Sequence, residues 1–239
     1  MQDPVIPLKD YPGGPRRSFP WVMLSIIAVN IIAFIFELSL PNDTALNNLF
    51  YADGVVPTDF TQHAQGPAPP FGILWLTLIT SMFLHGGFLH IGSNMLYLFI
   101  FGDNVEDRLG HLRFLVFYFL CGIIAGLTHI AANAGSDTPS IGASGAIAGV
   151  LAAYLRLFPS AQVRTLIFIG PIFLFPRIAA AFLIVFWFIT QFVSGVTSLG
   201  APTDTSGGVA VWAHVGGFLS GLILVQIMRP REEQTAPAY

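Results

Sequence analysis

The chain has 239 residues, of which 54% are hydrophobic and 10% charged, and its formal net charge is −3 at neutral pH. Ordinary soluble domains carry roughly 25% charged residues, so there is too little polar surface here to cover a water-soluble globule, and the chain reads as a membrane protein. The slight negative charge without a basic patch argues against nucleic-acid binding, and a single cysteine, Cys121, excludes an internal disulfide and a multi-cysteine metal site.

Residues 1–19 are polar, rich in proline and glycine, and carry Lys9, Arg16 and Arg17; they are expected to form a mobile tail ending at the membrane surface. Residues 20–40 are the first apolar stretch long enough to cross a hydrocarbon core, and they are too long and too poor in a small-residue cleavage site to be a signal peptide. A long segment, 42–85, follows; its second half, 71–84, is apolar but runs into Gly86 and Gly87, which predicts a loop lying partly in the interface. Residues 87–103 and 112–132 read as spans two and three, and 133–140 as a polar link. Residues 144–158 form a small-residue helix that is short for a full span and is expected to begin below the surface. Residues 165–175 are apolar but broken by Gly170, Pro171 and Pro176, which places them in the interface, and spans five and six cover 178–196 and 208–228. The predicted fold is all-α and polytopic: a tail (1–19), a six-helix membrane domain (20–228) and a short carboxy-terminal tail (229–239).

The basic residues orient this arrangement. Lys9, Arg16 and Arg17 precede span one, and Arg108 and Arg113 separate spans two and three. Arg156, Arg164 and Arg177 separate spans four and five, and Arg229 and Arg231 follow span six. All ten fall on one side if both termini are cytoplasmic, as the positive-inside rule requires.

With that orientation, spans two, four and six descend from the outer face with polar residues near their upper ends: His90 and Asn94, Ser144, and His214. His214 is seven residues into its predicted helix, roughly 10 Å down. Polar side chains at such depth face a bundle interior or a wet cavity. Gly145 and Gly149 on span four, and Gly217 and Gly221 on span six, are small-residue pairs that let backbones approach closely, which predicts packing of the two spans and proximity of Ser144 to His214. A neutral histidine in reach of a serine hydroxyl can activate it as a nucleophile. His90 and Asn94 share a helical face and can donate to an oxyanion, as can the Ser144 amide at the helix start. No Asp or Glu sits at this depth to orient His214, so the reading is a Ser–His dyad.

Taken singly, these residues have plainer explanations: Ser144 as a helix cap, His214 as a buried histidine or a haem or quinone contact. His85, about 140° around the helix from His90, is assigned to loop structure. His63 and His129 are assigned to the interface, and His111 lies on the cytoplasmic side. Glu37, Asn30 and Gln191 are expected to make isolated interhelical or interfacial hydrogen bonds, Cys121 to pack, and Phe182, Phe186, Trp187 and Phe188 to face lipid rather than gate the site.

The ordered blocks HGGFLHIGSN (85–94), EDRLG (106–110), GASG (142–145) and AHVGG (213–217) with Gly221 resemble the rhomboid family of intramembrane serine proteases over residues 70–225. The resemblance implies Ser144 as nucleophile, His214 as general base, and His90, Asn94 and Gly142 as oxyanion and substrate-positioning residues. It implies structural roles for Glu106 and Gly110, a first loop embedded in the membrane, and a fifth span able to gate substrate entry. In two features the chain departs from many members. Its first loop has no arginine, and Ala148 stands where some members place an aromatic under the histidine, so another group must support His214. The implied activity is cleavage of single-pass transmembrane substrates near the outer face, with no cofactor, metal or nucleic-acid partner. A compact chain without a targeting extension fits a bacterial inner membrane. The alternatives are a catalytically silent rhomboid-like escort factor and, less favoured because no mid-span carboxylate or repeat is visible, a channel or transporter.

Overall fold

The computed structural model describes residues 5–12, 18–61, 71–169, 171–198 and 210–228. It is a helical bundle with a small sheet at one end. Helix α1 (Trp21–Leu38) is followed by three shorter helices, α2 (Asp43–Asp53), α3 (Pro57–Thr61) and α4 (Phe71–Thr80), and a single 3₁₀ turn at Ser81–Phe83. The long helices α5 (Phe88–Leu109) and α6 (His111–Ala132) come next, then α7 (Ser144–Leu157), α8 (Ala180–Ser198) and α9 (Val211–Met228). Among the described residues, α1, α6, α8 and α9 are each long and apolar enough to cross a membrane, and α7 is a shorter apolar helix. The segment 74–83 meets α5 at 85°, which is the geometry of a broken span or re-entrant loop. Helices therefore stand at all six predicted spans, and the chain is a polytopic helical membrane bundle. Residues 229–239, with Arg229 and Arg231, lie outside the described residues, as do Arg16, Arg17 and His63.

Helix α7 is the centre of the bundle. Every residue from Gly145 to Tyr154 is buried, because glycine and alanine on its faces admit α5, α6 and α9 at close range. An ideal Cβ on Gly149 would stand 2.5 Å from Cys121 Sγ of α6, and one on Gly217 would overlap the Gly145 carbonyl oxygen. Cys121 is thus a packing residue, as expected. Where lipid tails are as apolar as the side chains, such close van der Waals contact is what holds helices together. Fourteen residues at 1.5 Å rise give about 21 Å, short of a hydrocarbon core of about 30 Å, so α7 is too short to cross such a core from end to end.

At the opposite end, Glu106 of α5 holds the start of α1. Pro20 gives that helix no side-chain cap, and its orphan amides at Val22 and Met23 donate instead to the two Glu106 carboxylate oxygens at 3.0 and 2.7 Å. His111 Nδ1 lies 2.5 Å from the same carboxylate. Gly110, at φ +80°, makes the sharp break between α5 and α6 that brings His111 back to Glu106. Glu106 and Gly110 thus join the start of α1 to the turn between α5 and α6.

The sheet differs from expectation in two places. Residues expected to be a mobile tail contain strand β1 (Val5–Tyr11), and the apolar 165–175 segment contains β2 (Gln162–Ile169) and β3 (Ile172–Leu174), followed by β4 (Arg177–Ala179). Strand β2 is central: β1 pairs antiparallel along one edge, and β3 and β4 lie end to end along the other. Pro176, without an N–H, interrupts that second edge, and its carbonyl accepts from the Thr165 amide. The register of β1 shifts between Pro7 and Lys9, where the ladder likewise lacks a donor. Alternation of buried Val163 and Thr165 with exposed Arg164, in a β-branched run, is the strand signal in this segment. Asp10 of β1 ties the sheet to the bundle, accepting from Tyr154 Oη at 2.7 Å and Asn104 Nδ2 at 2.8 Å.

Candidate active site

Ser144 is the first residue of α7, and the chain before it is bent to deliver it. Gly142 takes φ +119°, a conformation that disfavours a side chain, and its amide donates to the Ser81 carbonyl at 2.8 Å. A Cβ on Gly142 would also stand 2.7 Å from His90 Nε2. Glycine is therefore required twice over, by the backbone and by the imidazole lying on it. Ala143 offers α7 no side-chain cap, so the first amides of the helix point beyond its end toward the same space.

His214 enters from α9. That helix starts at Val211, so His214 stands one turn from its beginning, nearer the end than the seven residues expected. Its Nε2 lies 2.7 Å from Ser144 Oγ. The pairing follows from the crossing of α7 and α9 on glycine: Gly217 lies against Gly145 and Gly221 against Gly149. On the far side of the ring, His214 Nδ1 lies 2.8 Å from Gln191 Oε1 of α8, and the Trp187 ring flanks it at 5.5 Å. Among the described residues, no carboxylate is hydrogen-bonded to His214.

His90 and Asn94 stand one turn apart at the start of α5. The Gly86 amide donates to His90 Nδ1 at 3.4 Å, which leaves Nε2–H as the donor over Gly142. Asn94 is buried and donates through Nδ2 to the His90 carbonyl at 3.0 Å. His85 is buried edge-on against His90 at 5.0 Å between ring centres, and its amide donates to Glu37 Oε1 of α1 at 3.1 Å. Glu37 thus makes an interhelical hydrogen bond of the expected kind and braces the turn that carries His90.

The structure brings Ser144, His214, His90 and Gly142 together. Glu106 and Gly110 are at the other end of the bundle, and Gly145, Gly149, Gly217 and Gly221 form the helix contact beneath the site. His129, assigned to the interface, is buried on α6. The aromatic set on α8 divides: Phe182 and Phe186 are exposed, whereas Phe188 stacks on Phe218 of α9 at 4.2 Å and Trp187 meets His214. Sequence reasoning missed the contact of Gln191 and Trp187 with the histidine. Their signal was a lone polar residue on an apolar helix with an aromatic one turn away.

A serine hydroxyl paired with an imidazole, beside a bare helix start and a second imidazole, is suited to acyl transfer. A family model described as "Rhomboid domain" matches residues 74–231. The chain is 31% identical over 164 residues to RHOMBOID-like protein 5 of Arabidopsis thaliana, covering 68% of this chain and 47% of that one. It is 36% identical over 115 residues to Rhomboid-type serine protease 2 of Emericella nidulans, covering 48% of this chain and 22% of that one. To Rhomboid-like protease 3 of Toxoplasma gondii it is 27% identical over 216 residues, covering 87% and 68%. The chain thus spans less than half the length of the plant and fungal relatives.

Proposed function

Because this chain belongs to the rhomboid family, some of whose members are named proteases, we propose that it is an intramembrane serine endopeptidase acting through a Ser144–His214 dyad. The observation that carries the reading is the 2.7 Å approach of His214 Nε2 to Ser144 Oγ across two separate helices. Ser144 Oγ attacks the scissile carbonyl while its proton passes to Nε2. The tetrahedral oxyanion takes hydrogen bonds from the Ser144 amide and from His90 and Asn94 on α5, each such donor being worth roughly 2.7–4 kcal/mol. Collapse breaks the C–N bond, and the leaving amine takes the proton from Nε2. Water then attacks the acyl-enzyme ester, gives its proton to Nε2, and the restored Ser144 hydroxyl recovers it.

The substrates are transmembrane segments of single-pass proteins, reaching the site from lipid. Such a segment must unwind locally, since a helix keeps its backbone carbonyls bonded internally. The described basic residues lie away from Ser144 and His214: Arg108 and Arg156 in the last turns of α5 and α7, Arg113 in the first turn of α6, and Lys9, Arg164 and Arg177 in the sheet. The positive-inside rule then directs the site toward the outer face and the sheet toward the cytoplasm.

Purified protein in proteoliposomes, given a transmembrane reporter, tests the reading. Wild type cleaves, Ser144→Ala and His214→Ala do not, and a fluorophosphonate labels Ser144 only when His214 is present. Equal product from wild type and Ser144→Ala overturns it. Absence of both cleavage and labelling across lipid compositions instead favours a silent, substrate-binding member.

A further inference from the structure

The dyad reading leaves the second nitrogen of His214 unexplained, and the structure supplies it with a partner from a different helix. His214 Nδ1 and Gln191 Oε1 are 2.8 Å apart, on the side of the ring away from Ser144. Trp187, one turn before Gln191 on the same face of α8, covers the ring at 5.5 Å and 41°. Ala148, one turn after Ser144, is too small to support the imidazole from below.

We infer that Gln191 is the positioning residue of the active site: its amide oxygen fixes the tautomer and orientation of His214, with Trp187 as the wall against which the ring is held. The inference rests on the protease reading and deepens it. An amide oxygen can only accept, so the proton of the neutral ring is placed on Nδ1 and the lone pair on Nε2, where Ser144 Oγ must deliver its own. The opposite tautomer would present Nε2–H to the serine and could not act as base. A neutral acceptor also does this without burying a carboxylate in the bilayer, where an ionised group is costly.

The bond joins α8 to α9, so it ties competence of the site to the position of α8. That helix is the least enclosed of the long apolar helices. It holds α9 through an aromatic seam of Phe188 on Phe218 and Phe192 on Trp212. Separation of the two helices removes Gln191 and Trp187 together and frees the His214 ring to rotate.

The test compares Gln191→Met, nearly isosteric but without the acceptor, with Gln191→Glu, which keeps it, and with Phe186→Leu, an exposed change on the same helix. Cleavage of the reporter by Gln191→Met is expected to lose about 10- to 100-fold in kcat with KM unchanged, less than the ~10⁴-fold seen when a charged partner is made unable to hold the tautomer. Gln191→Glu restores most of the rate, and Phe186→Leu matches wild type. Protein labelled with ¹⁵N in the histidine rings gives a readout that needs no activity: the neutral His214 resonances should report Nδ1–H in wild type and a mixture of tautomers in Gln191→Met. Ser144-dependent cleavage that Gln191→Met leaves intact overturns this inference alone, as does an Nε2–H tautomer in wild type. Cleavage that ignores Ser144 overturns the protease reading and leaves the tautomer measurement to decide the role of Gln191.

Discussion

The carbonyl oxygen of Gly145 on α7 occupies the space in which a Cβ on Gly217 of α9 would stand. One turn further along, Gly149 lies in the same relation to Gly221. The obstacle in both cases is backbone, which cannot rotate aside as a side chain can. The distance between Ser144 and His214 is set by this contact.

Gly217→Ala and Gly221→Ala should therefore push α9 away from α7. Overpacking of this kind costs about 1–3 kcal/mol, and more where backbone must shift. The expected result is a lowered unfolding midpoint in detergent together with lost fluorophosphonate labelling. Gly92→Ala, where a Cβ meets nothing within 4 Å, should leave the midpoint unchanged or slightly raised.

His90→Ala and Asn94→Ala test the oxyanion assignment. Each should lower kcat on the reporter by roughly 10²–10³ while leaving KM near the wild-type value, because the lost hydrogen bond forms only as charge develops. Variants within twofold of wild type would remove these residues from the site.

Glu106→Ala leaves the Val22 and Met23 amides without their acceptors at the head of α1. A buried unpaired donor costs about 1–3 kcal/mol, so thermal unfolding should move down by that amount or more. Glu106→Gln keeps one acceptor oxygen and should fall between the two. Residual folded Glu106→Ala protein should still label at Ser144, since the carboxylate is at the other end of the bundle.

Asp59 of the first loop and Asp137 of the link between α6 and α7 predict a pH effect. Burial raises the pKa of Asp59 on α3, and the nearby carboxylate of Asp137 raises it further. The folded protein thus holds this proton to higher pH than the unfolded chain does. Stability from this site is present below the unfolded value, near 3.9, and is lost as pH rises through the folded one. Asp59→Asn should be more stable than wild type at neutral pH, and the advantage should disappear in acid. An advantage constant with pH would mean the carboxylate is not its source.

The family motifs and the spans were legible because each is a local property. Twenty apolar residues announce a span wherever they occur, and the glycine spacing on α7 and α9 marks a face without knowledge of its partner. The blocks holding Ser144, His214, His90 and Asn94 carry their chemistry in residue type and order. The sheet was less legible. Residues 165–175 are apolar enough to suggest the interface, the longest partner of β2 stands at the other end of the chain, and its neighbours β3 and β4 are only three residues each, so the run of β-branched residues had no visible second strand. Gln191 and Trp187 read as one polar and one lipid-facing residue, since helical periodicity shows which residues share a face but not what that face meets.

Composition, span lengths, basic-residue placement and the ordered motifs were determined by the sequence alone, down to the pair of residues expected to react. The tertiary structure decided which third residue touches His214, how Glu106 serves a helix remote in sequence, and where the amino-terminal strand is docked. These are contacts between distant segments. They depend on how closely α7, α8 and α9 cross, and that closeness is set by the few places where a missing Cβ lets one backbone rest on another.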